Sequence, residues 1–194
     1  MKKTLKVGFD LDGVILYNPI RTLRPFAKKI LKPVKTALFH QKREAFYQPK
    51  SSFEKFLWRI IHLTSFKINK GYGDLINLAK DKNIKFYLIT GRYGFLKSDY
   101  EAWLKKIRAT EVFEECYINN QSVQPNIFKE KMIKKLKLDV YVEDNWDIIE
   151  KLNHHTGAEI LWMTNLADRM IPYRNKFNDL TEVCQFLKKF SSRR

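Results

Sequence analysis

Nine residues near the start constrain this chain more than any others: Val7-Gly8-Phe9-Asp10-Leu11-Asp12-Gly13-Val14-Ile15. An apolar run carries two aspartates, two positions apart, straight into a glycine. Side chains two apart on a strand share a face. Carboxylates do not belong inside a strand, because burying an unpaired charge is costly. They are tolerated at its C-terminal end if a cation sits between them. Hard cations such as Mg2+ take a few carboxylate oxygens and fill the rest of their shell with water and phosphate. The stretch therefore suits a metal-and-phosphate site closing the first strand. Asp and Gly are also ordinary turn residues, so the same letters suit a plain polar turn.

Strand and helix signals alternate after residue 71. Strands are expected over residues 4–9, 84–92, 115–119, 139–142 and 160–163. Helices are expected over 74–82, 98–108, 127–136, 148–153 and 180–190. That alternation implies an α/β fold, a Rossmann-like parallel sheet with helices on both faces. The 194 residues are enough for one such core plus an insertion. Residues 17–71 interrupt the pattern as a candidate helical cap, leaving 1–16 and 72–194 as the core. Phe53, Phe56, Leu57, Ile60 and Ile61 recur at helical spacing, and Pro25, Pro33 and Pro49 divide the segment into short helices.

Charge is concentrated in that insertion. Residues 20–70 hold 13 Lys or Arg and only two acids, a local +11 out of the chain's +16. Such a field gathers anions. Basic side chains that merely solubilise apolar helices, a cap that draws in an anionic substrate, and a nucleic-acid surface all fit. Cys116 and Cys184 match no metal or disulfide spacing, as expected in a reducing cytoplasm. The apolar run after Met1-Lys2-Lys3 is broken at once by Asp10 and Asp12, unlike a signal peptide. No uninterrupted apolar run is long enough to cross a bilayer. The expectation is a cytoplasmic protein with no membrane partner; subunit association is left open.

In an open α/β sheet, ligands bind beyond the carboxyl ends of the strands. Three of the expected strands end in groups suited to phosphate chemistry: Asp10 and Asp12, then Thr90-Gly91-Arg92, then Glu143-Asp144-Asn145. Lys129 and Lys131 open the helix before the last of these. Phosphate-ester hydrolysis needs an in-line nucleophile, positive charge against the phosphoryl oxygens and a proton for the leaving group.

In this order the four segments resemble the signatures of the haloacid dehalogenase-like hydrolase superfamily, most of whose members are Mg2+-dependent phosphatases. The insertion after the first motif resembles that superfamily's C1-type cap. Leu88-Ile89-Thr90-Gly91-Arg92 and Val142-Glu143-Asp144-Asn145 look most like its small branch of 5'(3')-deoxyribonucleotidases. The resemblance implies Asp10 as nucleophile and metal ligand, through an aspartyl-phosphate intermediate. It implies Asp12 as general acid and base, with its backbone carbonyl on Mg2+. Thr90 would hold a phosphoryl oxygen, with Gly91 and Arg92 beside the substrate phosphate. Lys129, 14 positions before Glu143, would neutralise nucleophile and phosphate, with Lys131 as the alternative. Asp144 would anchor the metal, together with Glu143, where the superfamily often has Asp. The implied function is hydrolysis of a small phosphorylated metabolite, with a nucleoside monophosphate among the candidates. The alternative is a nucleic-acid-binding protein or nucleic-acid 3'-phosphatase that uses the basic cap.

Overall fold

The computed structural model describes residues 4–19, 46, 48–165, 168 and 170–193. Six parallel strands form one sheet: β1 (Leu5–Phe9), β4 (Ile84–Tyr93), β5 (Glu115–Asn119), β6 (Val140–Glu143), β7 (Glu159–Met163) and β8 (Lys176–Phe177), in the order β5-β4-β1-β6-β7-β8. β1 lies between β4 and β6, with Val7 level with Phe86 and Val140, and Phe9 level with Leu88 and Val142. A strand buried on both faces has no solvent side, which is why β1 is apolar apart from Lys6, whose ammonium reaches out to Leu136 O.

Alternation divides the core into two layers. Val7, Phe9, Phe86, Leu88, Val140 and Val142 point to one face. There they meet α2 (Tyr72–Leu78), α3 (Lys97–Lys106) and α6 (Leu180–Ser192). Tyr87, Ile89, Tyr141, Ile160 and Trp162 point to the other face, against α4 (Pro125–Leu136) and α5 (Trp146–His155). The doubly wound α/β architecture expected from the alternating pattern is the one observed.

Local chemistry sets the helix ends. Pro125 opens α4, where its missing N–H costs nothing. Asn145 caps α5 by accepting from the Asp147 N–H, and Asp179 caps α6 by accepting from Glu182. α2 stops at Leu78, earlier than the sequence suggests. The Asp81 carboxylate accepts from the Asn83 backbone at 2.9 Å, and that local turn competes with a further helical turn. Gly71 precedes α2 with φ at +87°. A Cβ there would stand 2.2 Å from the Thr181 nitrogen of α6, so the helix contact requires glycine.

A second, two-stranded antiparallel sheet pairs β2 (Leu16–Tyr17) with β3 (Lys67–Ile68). It ties together the departing and returning ends of the insertion. Within the insertion, α1 (Ser52–Leu63) begins with a reciprocal cap: Ser51 Oγ accepts from Glu54 N at 3.1 Å, and Glu54 Oε2 accepts from Ser51 N at 2.9 Å. Residues 20–45 and 47 fall outside the described residues, and with them the helices expected around Pro25 and Pro33 and most of the basic cluster. Among the described residues, no helix is long and apolar enough to cross a membrane.

Candidate active site

The chemistry-bearing strand ends meet at one rim of the sheet. β1 delivers Asp10, whose backbone N–H donates to Val142 O of β6 at 3.0 Å. A single turn follows, closed by Ile15 N to Leu11 O at 3.0 Å, with Gly13 at φ +87°. Asp12 and Asp10 are both buried to 2% exposure.

Lys129 links the parts. Its Nζ lies 3.1 Å from Asp10 Oδ1 and 2.6 Å from Glu143 Oε2, and the lysine is itself buried. α4 places it there because Pro125 starts the helix against the end of β4. A Cβ on Gly91 would come within 3.0 Å of Pro125 and 3.7 Å of Lys129 Cε, so this close approach favours glycine. Lys131, two residues on, is exposed.

Asp10, Glu143 and Asp144 each offer a carboxylate oxygen within 4.8 Å of the others. Glu143 Oε1 also accepts from Asn145 N at 3.1 Å. Burial pushes the Glu143 carboxyl up to about 8, helped by Asp10 and Asp144 and opposed by Lys129. The three carboxyls bring oxygen donors together beside the Lys129 ammonium. Hard divalent cations take such oxygen donors, so the donor set fits Mg2+. The Asp12 side chain stands outside this cluster and turns elsewhere.

Asp12 is met from two directions. From β4, Arg92 Nε donates to Oδ2 and Nη2 to Oδ1, each at 2.7 Å. From the insertion, Ser65 Oγ donates to Oδ1 at 2.7 Å, and His62 Nδ1 lies 3.4 Å from Oδ2. Burial by itself raises the Asp12 carboxyl, but the Arg92 charge and hydrogen bonds, with His62, outweigh it and hold it well below the usual carboxylate range. Arg92 reaches Asp12 because β4 carries a register shift between Thr90 and Tyr93, and such bulges re-aim side chains. The guanidinium also pairs with Asp99 of α3. Thus Arg92, expected beside substrate phosphate, is engaged by buried Asp12 and half-buried Asp99. Thr90 Oγ1, buried at the same rim, accepts from Arg92 N at 3.2 Å.

Asp99, His62 and Ser65 had no local signal in the sequence. Ser65 and Asp12 are 53 positions apart, and Arg92 and Asp12 are 80 apart. Asn119 closes its own loop, donating to Val123 O and accepting from Val123 N. His154 and His155 are exposed at the end of α5, and Trp162 is core. A cleft of about 520 Å3 lies beside the rim, lined by Gln48, Lys50 and Lys55 of the insertion and by Tyr93, Phe95 and Asn120 of the core.

No family model matches the sequence, and no curated protein is detectably similar to it. Solved structures do share its shape. A Bacillus subtilis protein named a HAD-hydrolase and bound to magnesium aligns over 96% of this chain and 100% of its own, with TM-score 0.64 and 14% identity. A HAD hydrolase of family IA, variant 3, from Entamoeba histolytica aligns over 94% and 100%, with TM-score 0.60 and 13% identity. A haloacid dehalogenase-like family hydrolase from Xanthomonas campestris aligns over 100% and 98%, with TM-score 0.57 and 10% identity. At such identities the likeness is one of fold, and the chain has the α/β fold of the haloacid dehalogenase-like hydrolases.

Proposed function

We propose that the chain is a Mg2+-dependent phosphatase that hydrolyses a small phosphomonoester through an aspartyl-phosphate on Asp10. The observation that carries this reading is the set of buried Asp10 and Glu143 and half-buried Asp144 at the carboxyl ends of β1 and β6, met by buried Lys129 of α4. Asp10, Glu143 and Asp144, with the Asp12 backbone carbonyl, would hold Mg2+, which when bound offsets the charge of nucleophile and phosphate.

The chain's own residues supply the remaining parts. Lys129 neutralises Asp10 and Glu143 so that a dianionic phosphate can approach. The Thr90 hydroxyl and nearby backbone N–H groups hold a phosphoryl oxygen. An Asp10 oxygen attacks phosphorus, the bond to the ester oxygen breaks, and that oxygen takes a proton from Asp12. Water then attacks the aspartyl-phosphate, Asp12 accepts its proton, and phosphate leaves. In the arrangement observed, Asp12 is ionised, the form suited to the second step. A substrate phosphate competing for Arg92 would weaken the fork and let Asp12 take up the proton it donates in the first.

The insertion over 17–71 serves as the cap, and the cleft beside Lys50, Lys55 and Tyr93 receives the non-phosphate part of the substrate. Nucleoside monophosphates head the candidates because Thr90-Gly91-Arg92 and Glu143-Asp144-Asn145 resemble the nucleotidase-like branch. The strong basicity of the insertion favours a second reading, a nucleic-acid 3'-phosphatase. The test is phosphate release from a panel of nucleotides, sugar phosphates and 3'-phosphorylated oligonucleotides, with and without Mg2+. A small-ester phosphatase requires Mg2+ and is modestly affected by salt. Oligonucleotide turnover that falls steeply with added salt supports the second reading. No release from any substrate with Mg2+ overturns both.

A further inference from the structure

The two arms of the insertion meet on Asp12. Asn18 lies just after β2, on the departing arm, and Ser65 just before β3, on the returning one. Both are buried, Asn18 to 7% and Ser65 to 1% exposure. Asn18 Nδ2 donates to Ser65 Oγ at 2.9 Å, while the Thr64 hydroxyl gives its proton to Ile61 O at 2.6 Å. A hydroxyl has one proton to give. With Asn18 occupying an acceptor position on Ser65 Oγ, that proton is directed at Asp12 Oδ1, 2.7 Å away.

This relay is one of several links between the sheet rim and the insertion, beside Asn69 Nδ2 to Val14 O at 3.0 Å and Arg59 Nη2 to Phe95 O at 3.2 Å. Asp12 belongs to the sheet rim, whereas Asn18, Thr64 and Ser65 belong to the stalk of the insertion. Arg92 fixes Asp12 from the sheet side, so a shift of the stalk changes the balance of donors on the two carboxylate oxygens. Buried networks of this kind fix a side chain in one orientation because an unpaired polar group there is costly.

Resting on the phosphatase reading above, we infer that Ser65, oriented by Asn18, is a positioning residue that aims the Asp12 carboxyl at the leaving-group oxygen. The seating of the insertion thereby sets how well the leaving group is protonated. The signature lies in the first step, where Asp12 gives its proton to the ester oxygen; the second step, in which Asp12 accepts from water, is common to both esters. An ester with a good leaving group, such as p-nitrophenyl phosphate, departs without a proton. An alkyl phosphate such as glycerol phosphate depends on one.

The experiment compares kcat and KM for these two esters in the wild type and in Ser65→Ala, Ser65→Thr and Asn18→Ala, with thermal melting as the check on folding. Ser65→Ala is expected to lower kcat for the alkyl ester at least about tenfold while p-nitrophenyl phosphate stays within about threefold, with KM little changed. Ser65→Thr, which keeps the hydroxyl, restores most of the loss. Should Ser65→Ala fail to fold, Asn18→Ala must show the same bias between the esters. Equal loss on both esters, or no loss on either, overturns the inference and leaves the phosphatase reading intact. A wild type that releases no phosphate from these esters or from any member of the panel above overturns the phosphatase reading and this inference with it.

Discussion

Arg92 and Asp12 meet in a buried two-bond fork, Nε to Oδ2 and Nη2 to Oδ1, each 2.7 Å long. The guanidinium geometry matches a carboxylate in this way, and the fork outweighs the cost of burying Asp12. The folded Asp12 therefore titrates below its unfolded value of 3.8. A depressed carboxyl contributes stability that is present above the unfolded pKa and lost as pH falls through the folded one. Asp12→Asn is expected to cost about 3 kcal/mol at neutral pH, because Arg92 then loses a buried partner. That gap should begin to narrow below pH 3.8, where the unfolded carboxyl takes up its proton, and close only as pH falls through the lower folded value. Urea unfolding of both proteins across the acid range checks this; a gap that stays constant with pH contradicts it.

Lys129 supplies the other buried charge balance. Lys129→Met removes the ammonium that meets Asp10 Oδ1 and Glu143 Oε2, and the expected cost is about 3 kcal/mol together with loss of turnover. Adding Glu143→Gln removes the carboxyl that Lys129 meets at 2.6 Å. The double variant should recover about half of that stability, a coupling that independent sites would not show. Lys131→Ala, on the exposed side of the same helix, should stay within about 0.5 kcal/mol of the wild type and keep its activity. Unfolding free energies for the four proteins decide between the two lysines.

Much of this arrangement was legible in the sequence because its causes are local. Buried parallel strands are largely apolar, so 84–92 and 160–163 stand out against their amphipathic neighbours, as β4 (Ile84–Tyr93) and β7 (Glu159–Met163) show. Polar residues that interrupt such runs mark the rim, which is how Asp10, Thr90, Glu143 and Asp144 come together. Short pieces without a period of their own carried no signal: β8 and the β2–β3 ribbon have two residues per strand. Asp99, His62 and Ser65 were invisible for a different reason. Each is an ordinary polar residue on its own helix or loop, and becomes part of the site only through partners that the fold brings near.

Gly71 is held by backbone geometry and by its neighbour at once. Its φ of +87° and the 2.2 Å approach to Thr181 N leave no room for a methyl group. Gly71→Ala is expected to lose more than about 2 kcal/mol, from left-handed strain and from the forced separation of α2 and α6. Gly73, where an added Cβ meets nothing within 4 Å, is the control. Its alanine variant should be neutral or slightly more stable by thermal melting, since it gains helix propensity.

The most direct measurement is phosphate release by Asp10→Asn in the presence of Mg2+, set beside the wild type on the best ester of the panel. The amide keeps the shape of the side chain and removes the nucleophile. Release should fall at least about a thousandfold while the melting transition remains cooperative. Near-normal release from a folded Asp10→Asn protein would contradict covalent catalysis at Asp10, and with it the role assigned to the cluster around Lys129.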